Sequence, residues 1–128
     1  MPDWTTADLD RIGSADELEI STRRTDGSLR PYTPIWVVRI GDELFVRSWR
    51  GVSGAWYRHA RQRPDGRIRV SGTEQDVTVQ LSQTAPDAAI DRAYQAKYGR
   101  YGDTYVKPMT GPDARAATLR LDPADLGG

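Results

Sequence analysis

The chain of 128 residues contains no cysteine. That excludes disulfides, thiol catalysis and cysteine-based metal sites. It has a single histidine, His59, and no carboxylate cluster at ligand spacing beside it, so a metal centre is not expected. A Ser-His-Asp hydrolase would depend on that one histidine, and the G-x-S-x-G elbow is missing. No G-x-G-x-x-G or phosphate-loop motif occurs. Tyr94 and Lys97 miss the spacing of the short-chain dehydrogenase pair by one residue, and Tyr94 reads as a core tyrosine. No run of 18 apolar residues exists to span a membrane. No basic-then-apolar leader is visible at Met1, which suits a cytoplasmic protein. Repeats and low-complexity tracts are absent, and the length suits one domain over 1–128.

Net charge is also missing, with 18 basic and 18 acidic residues. Their distribution along the chain is uneven. Residues 1–19 hold Asp3, Asp8, Asp10, Asp16, Glu17 and Glu19 against Arg11. Residues 47–69 hold Arg47, Arg50, Arg58, Arg61, Arg63, Arg67 and Arg69 against Asp65. Arginine forks suit phosphate and carboxylate, and segregated charge can raise a local anion field in a neutral protein. A coding bias toward arginine explains the raw number as well, and the clustering less well. A nucleic-acid surface is the rival reading, with Trp49, Trp56 and Tyr57 as stacking platforms. The neutral total and the acidic first segment argue against it.

What is present is a run of short strands. Leu18 to Thr22 alternates, as do Ile68 to Val70 and Val77 to Leu81. Trp36-Val37-Val38 and Leu44-Phe45-Val46 are β-branched and aromatic, joined by the short turn Gly41-Asp42. Ala116 to Leu121 is a sixth strand. Gly72 to Gln75 reads as a reversal, as does Arg63 to Gly66. Thr5 caps a first helix that stops at Gly13, with Asp8 three residues on. Ser53 caps a second helix over 53–63. Thr84 caps a third that ends at Gly99. His59, in the second helix beside Arg58, reads as a surface or cofactor-edge residue. Residues 99–113, rich in glycine and proline, read as loop, and 124–128 as a terminal tail. Six antiparallel strands with two or three short flanking helices predict a small, mainly β barrel of α+β type.

The sharpest functional signal lies between the second and third strands and the helix that follows. A strand delivers Arg47, Ser48 and Arg50 into a loop holding Gly51 and Gly54, ahead of a helix N-terminus. Such a start is a ready anion site. Trp36 and Phe45 are most simply core, whereas Trp49 and Trp56 flank the loop, as pocket lining or as a cover for the barrel end.

Thr33 to Val38, Leu44 to Trp49 and Gly51 to Tyr57 resemble the split β-barrel of flavin- and deazaflavin-binding proteins, relatives of pyridoxamine-phosphate oxidase and of deazaflavin-dependent nitroreductases. Ile90 to Tyr98, Pro108-Met109 and Ala114 to Leu119 add a closer resemblance to a small bacterial family of unknown function within that superfamily. The resemblance implies a six-stranded split barrel, often a homodimer, that binds FMN or a deazaflavin cofactor and acts on a small organic substrate. By position, Arg47, Ser48, Arg50 and Gly51 would face the phosphate, with Trp56, Tyr57 and Arg58 nearby. Pro34, Trp36 and Val37 would lie along the ring. The lysine common in the phosphate loop of nitroreductase relatives is absent, and Arg50 stands there instead. No catalytic residue is assigned, since in such proteins the cofactor carries the chemistry. The alternatives are a cofactor-free pocket on the same barrel, binding a small molecule or driving cyclisation or dehydration, and, further off, the nucleic-acid domain.

Overall fold

A computed structural model describes residues 4–81 and 85–124. The element order is α1 (Thr6–Gly13), β1 (Leu18–Thr22), β2 (Thr33–Ile35), β3 (Val37–Ile40), β4 (Glu43–Arg47), α2 (Ala55–Gln62), β5 (Asp65–Val70), β6 (Thr73–Gln80), α3 (Asp87–Tyr98), α4 (Asp103–Val106), α5 (Pro112–Ala116) and β7 (Thr118–Pro123). Short 3₁₀ turns cover Gly51–Ser53, Gly99–Tyr101 and Lys107–Thr110. The seven strands form one antiparallel sheet in the order β2-β1-β5-β6-β7-β4-β3. Its two edge strands, β2 and β3, are successive pieces of one extended segment interrupted at Trp36. The sheet therefore curls into a nearly closed barrel, with Trp36 at the seam.

This break is why seven strands replace the six expected. Val37 leaves one edge for the other, and its backbone groups are met by side chains of α3. Its N–H donates to Tyr98 Oη at 3.0 Å, and Lys97 Nζ donates to its carbonyl at 2.7 Å. Tyr98 Oη also lies within donating distance of the Asp16 carbonyl, at 2.7 Å. The Trp36 indole stacks on the Tyr98 ring, with centroids 3.9 Å apart and planes 1° from parallel.

Alternation along β4 divides the apolar residues between two cores. Leu44 and Val46 face the barrel interior with Leu18, Ile20, Val37, Ile68, Val77, Leu119 and Leu121. Leu9 and Ile12 of α1 and Tyr57 and Ala60 of α2 join that interior. Phe45 points the other way, with Val38, into a second core formed by Ile90, Tyr94 and Tyr98 of α3 and by Val106 and Met109. Strands β3 and β4 are thus covered on both faces, which accounts for their unbroken apolar runs.

Several local expectations shift. Thr5 caps α1 as expected, accepting from Asp8 N at 3.1 Å. The cap of α2 is Gly54, not Ser53, whose hydroxyl donates to the Arg50 carbonyl at 2.8 Å. The β5–β6 reversal is Ser71-Gly72, both at positive φ (51° and 80°), as a two-residue primed turn requires, so Thr73 to Gln75 belong to β6. Asp65 and Gly66 lie inside β5; a Cβ on Gly66 would sit 2.7 Å from the Ser21 carbonyl oxygen of the neighbouring strand. Residues 99–113 form helical turns rather than loop. The expected cap Thr84 and tail residues 125–128 lie outside the described residues, whereas Ala124 N still donates to the Asp76 carbonyl at 3.1 Å.

The charge segregation of the sequence is undone by folding. Asp8 pairs with Arg11, Asp10 with Arg39, Asp16 with Arg100, and Glu19 with Arg69. Arg63 and Arg67 pair with Asp65 and Asp76. No continuous basic track results among them.

Replacing Tyr98 with Phe should leave the Val37 N–H without its partner. The expected loss is about 1–3 kcal/mol of unfolding free energy, read as a lowered urea midpoint with unchanged slope.

Candidate functional site

A cleft of about 700 Å³ opens at the barrel seam, within the size range of small-molecule sites. One wall is the seam itself, Thr33 to Trp36, with Glu17 beside it. The opposite wall runs from Arg47 through Arg50 and resumes at Gly54 to Trp56, where α2 begins. Thr104, Tyr105, Pro108 and Met109 close a third side. The lining is mainly apolar and aromatic.

Of the ten residues expected at a cofactor site, the structure brings six to this cleft: Pro34, Trp36, Arg47, Ser48, Arg50 and Trp56. The other four do not line it. Val37 is fully buried in the barrel interior. Gly51 is buried at φ 66° against Asp113, where a Cβ would lie 3.1 Å from the Asp113 carbonyl oxygen. Tyr57 points into the barrel, and Arg58 is exposed away from the cleft. His59 does not reach the cleft either. Its Nδ1 is buried without a hydrogen-bond partner, and burial, with Arg30 and Arg58 nearby, lowers its pKa.

Arg47 requires a correction. It borders the cleft, yet its side chain is 1% exposed and turned outward beneath α3. Nε donates to Thr118 Oγ1 at 2.9 Å, Nη1 to Asp91 Oδ1 at 2.5 Å and to the Met109 carbonyl at 2.9 Å, and Nη2 to Asp87 Oδ1 at 3.2 Å. Asp91 is shared with Arg115. The guanidinium is thus committed to the protein rather than presented to a ligand. The reason is the strand period: Arg47 follows Phe45 to the outer face, and Ser48 follows Val46 toward the cleft.

What faces the cleft is a smaller set. Arg50 makes no ion pair among the described residues, and its guanidinium lies 5.0 Å from the centre of the Trp49 ring. The Ser48 hydroxyl makes no hydrogen bond among the described residues and sits against Gly54, where a Cβ would collide with it. The N–H groups of Ala55, Trp56 and Tyr57, the first turn of α2, have no acceptor among those residues. At the junction where the sequence suggests an anion site, the structure thus presents one hydroxyl, three amides and one arginine, with Arg47 withdrawn.

The sequence reading assigned no place at the site to Glu17, Tyr105 or Met109. The one usable signal was Tyr105, an aromatic in a stretch of glycines and prolines. Trp49 is 61% exposed at the mouth and Tyr105 is 63% exposed.

Residues 8–121 match the sequence family described as "Uncharacterized protein conserved in bacteria (DUF2255)". The chain belongs to this family. No curated protein matches it. Among solved structures, the DUF2255 chain is similar to an F420 reductase (18% identity, 91% of this chain and 93% of that one, TM-score 0.53). It is similar to HutZ, a heme storage protein from Vibrio cholerae (12%, 91% and 87%, TM-score 0.62). It is also similar to an FAD-binding protein from Mesorhizobium loti (12%, 95% and 91%, TM-score 0.56). At these identities the likeness is one of fold, and it bears out the split barrel. Among the described residues no group of histidine and carboxylate side chains could hold a metal ion, and no helix is long and apolar enough to cross a membrane.

The buried pair yields a prediction. Desolvation pushes the Asp91 carboxyl up, but bonds from Arg115 and Arg47 outweigh it and hold it below the ordinary 3.8. Asp91→Asn should cost about 3 kcal/mol, since it strips a buried charge of its partner. A carboxyl lowered in the folded state stabilises fully above the unfolded value and ceases to do so as pH falls through the folded one. The gap between wild type and Asp91→Asn in urea midpoint should therefore be full at pH 6 and narrow below about pH 4.

Proposed function

We propose that this DUF2255 protein is a flavin- or deazaflavin-binding oxidoreductase acting on a small organic substrate in the seam cleft. The observation that carries the reading is the junction of a roomy aromatic cleft with an anion cradle at one of its walls. The cradle fits a phosphate. Gly54 lets the Ser48 hydroxyl lie against the start of α2, where a Cβ would collide with it, and three open amides of α2 point from a helix start. Arg50 adds the charge that Arg47 does not. Pro34 and Trp36 offer the flat apolar wall that a three-ring heterocycle needs.

When bound, an isoalloxazine-type ring supplies hydride transfer. The chain's own residues bind, orient and shield. Arg50 and the α2 amides fix the anionic end. Trp36, held by its stack on Tyr98, fixes the plane of the ring wall. Tyr105, Pro108 and Met109 keep water from the third side. The flavin and deazaflavin readings share a ribityl phosphate, and the cradle serves that phosphate in either case. The F420 reductase and the FAD-binding protein that share the fold support this class of ligand without choosing between its members.

A homodimer belongs to the same reading. Trp49 and Tyr105, both more than half exposed at the mouth, support a second copy of the chain there. The second reading is a cofactor-free pocket for cyclisation or dehydration. What favours it is Glu17, the one carboxylate among the described lining residues, set beside an apolar wall.

Titrating the purified protein with FMN and then with F420, followed by fluorescence, tests the proposal. Saturable binding at micromolar concentrations is expected for one of them. Arg50→Ala should weaken it about 10- to 100-fold, as loss of a charge-assisted contact does. Gly54→Ala should also weaken it at least tenfold, because the added Cβ displaces the Ser48 hydroxyl, with the circular dichroism spectrum unchanged as the check on folding. Binding of neither cofactor sinks this reading and leaves the cofactor-free pocket. Binding that survives both substitutions removes the cradle assignment.

A further inference from the structure

The free charges that line the seam cleft stand on facing walls and do not meet. Arg47 borders the cleft with a guanidinium already committed to Thr118, Asp91, Asp87 and Met109. That leaves Arg50 on the wall that leads to α2 and Glu17 on the seam wall. Glu17 is exposed, and among the described residues its carboxylate makes no ion pair or hydrogen bond. Its neighbours in the acidic first segment differ. Asp8, Asp10, Asp16 and Glu19 all pair with arginines. Asp16, next to it in the chain, also accepts from the Tyr101 hydroxyl at 3.1 Å. Glu17 is the described carboxylate of that segment that folding leaves without a countercharge.

The β1–β2 ladder fixes where this carboxylate stands. Leu18 lies opposite Ile35, Glu19 opposite Pro34 and Ile20 opposite Thr33. One step further in the same register Glu17 comes opposite Trp36, the residue at which the edge segment breaks. Opposed residues of an antiparallel pair share a face, and both of these line the cleft. Burial pushes the Tyr98 hydroxyl up, and Asp16, Tyr101 and Glu17 add to the rise. That puts the Glu17 charge close to the ring on which Trp36 stacks. Glu17 therefore stands at the margin of the flat wall formed by Pro34 and Trp36.

We infer that the small molecule taken by the seam cleft is a cation, an ammonium carried on an apolar or aromatic body, and that Glu17 is the residue that selects it. The inference rests on the cleft being a small-molecule site and names the class of substrate for that site. The two unpaired charges divide the cleft. The wall with Arg50 and the open α2 amides attracts anions and repels cations, and the seam wall does the reverse. An anionic substrate would compete for the Arg50 wall or face a like charge at the seam. A neutral one would leave the Glu17 carboxylate without a partner. An ammonium donates to that carboxylate in charge-assisted bonds, the stronger kind. Its apolar body then lies along Pro34 and Trp36, away from Arg50. Glu17 binds and orients in this role, and no proton transfer or covalent step is assigned to it.

The whole chain, with no flavin added, is titrated at neutral pH and low salt with phenethylamine and, separately, with phenethyl alcohol. Tryptophan fluorescence reports binding, since Trp36, Trp49 and Trp56 line the cleft. The two probes share ring and chain length and differ in charge. The amine should bind about tenfold tighter than the alcohol. Glu17→Gln should bring the amine down to the affinity of the alcohol and leave the alcohol unchanged. Asp42→Asn removes an equal charge from the turn between β3 and β4, outside the cleft, and should leave the preference intact. Equal binding of the two probes, or no binding of the amine, overturns the inference. So does a preference that persists in Glu17→Gln, or one that Asp42→Asn removes as well. Because no flavin is present, a failure here and a failure of the cofactor titration are separate results.

Discussion

Arg47 brings a full positive charge into a region with almost no water, and the protein answers it from several elements at once. Asp87 and Asp91 stand four apart on one face of α3 and supply the countercharge. Met109 gives a backbone carbonyl, Thr118 a hydroxyl, and Arg115 a second claim on Asp91. One guanidinium thus joins β4, β7, α3 and the turn that carries Met109. A buried charge with several satisfied partners is directional, where apolar packing is not. Because Met109 and its neighbours line the cleft, the position of that wall is set from behind by an ion pair.

The seam depends on a comparable device. A chain that leaves one sheet edge for the other strands its backbone groups, and unpaired buried groups are costly. Here Tyr98 and Lys97 supply what the ladders do not. The cleft exists because the barrel is interrupted, and the interruption is tolerable because α3 covers it. Cleft and helix are therefore one structural unit, held at the seam by Tyr98 and below it by Arg47.

Much of this was legible in the residues. Alternation in β1, β5 and β6, the apolar run Leu44-Phe45-Val46 and the Thr5 cap are local signals, and each became the element expected. The strand-to-helix junction at Ser48 to Trp56 was legible as well, because an arginine, a hydroxyl and glycines ahead of a helix carry their chemistry with them. The break at Trp36 left no local mark: Pro34 and Trp36 suit a continuous edge strand equally well, and the break follows from closing the sheet. Glycine and proline between 99 and 113 read locally as loop, but they punctuate short helical turns that pack through Val106 and Met109. Arg47 departs from its expected place for a simpler reason. Arg47 and Ser48 are neighbours in sequence, and in extended chain neighbours face opposite ways. The carboxylates that claim Arg47 lie 40 and 44 positions later, at a spacing no local rule connects to it.

The strand order has a consequence for how the molecule comes into being. The hairpins β3–β4 and β5–β6 pair residues close in sequence and can form as soon as they are made. Strand β7 is the last of the seven, yet it lies between β4 and β6. Until residues 118–123 have left the ribosome, those two strands have no common neighbour and both present unpaired edges. Closure waits on that segment, and a nascent chain held short of β7 carries two open strand edges that favour pairing with other chains.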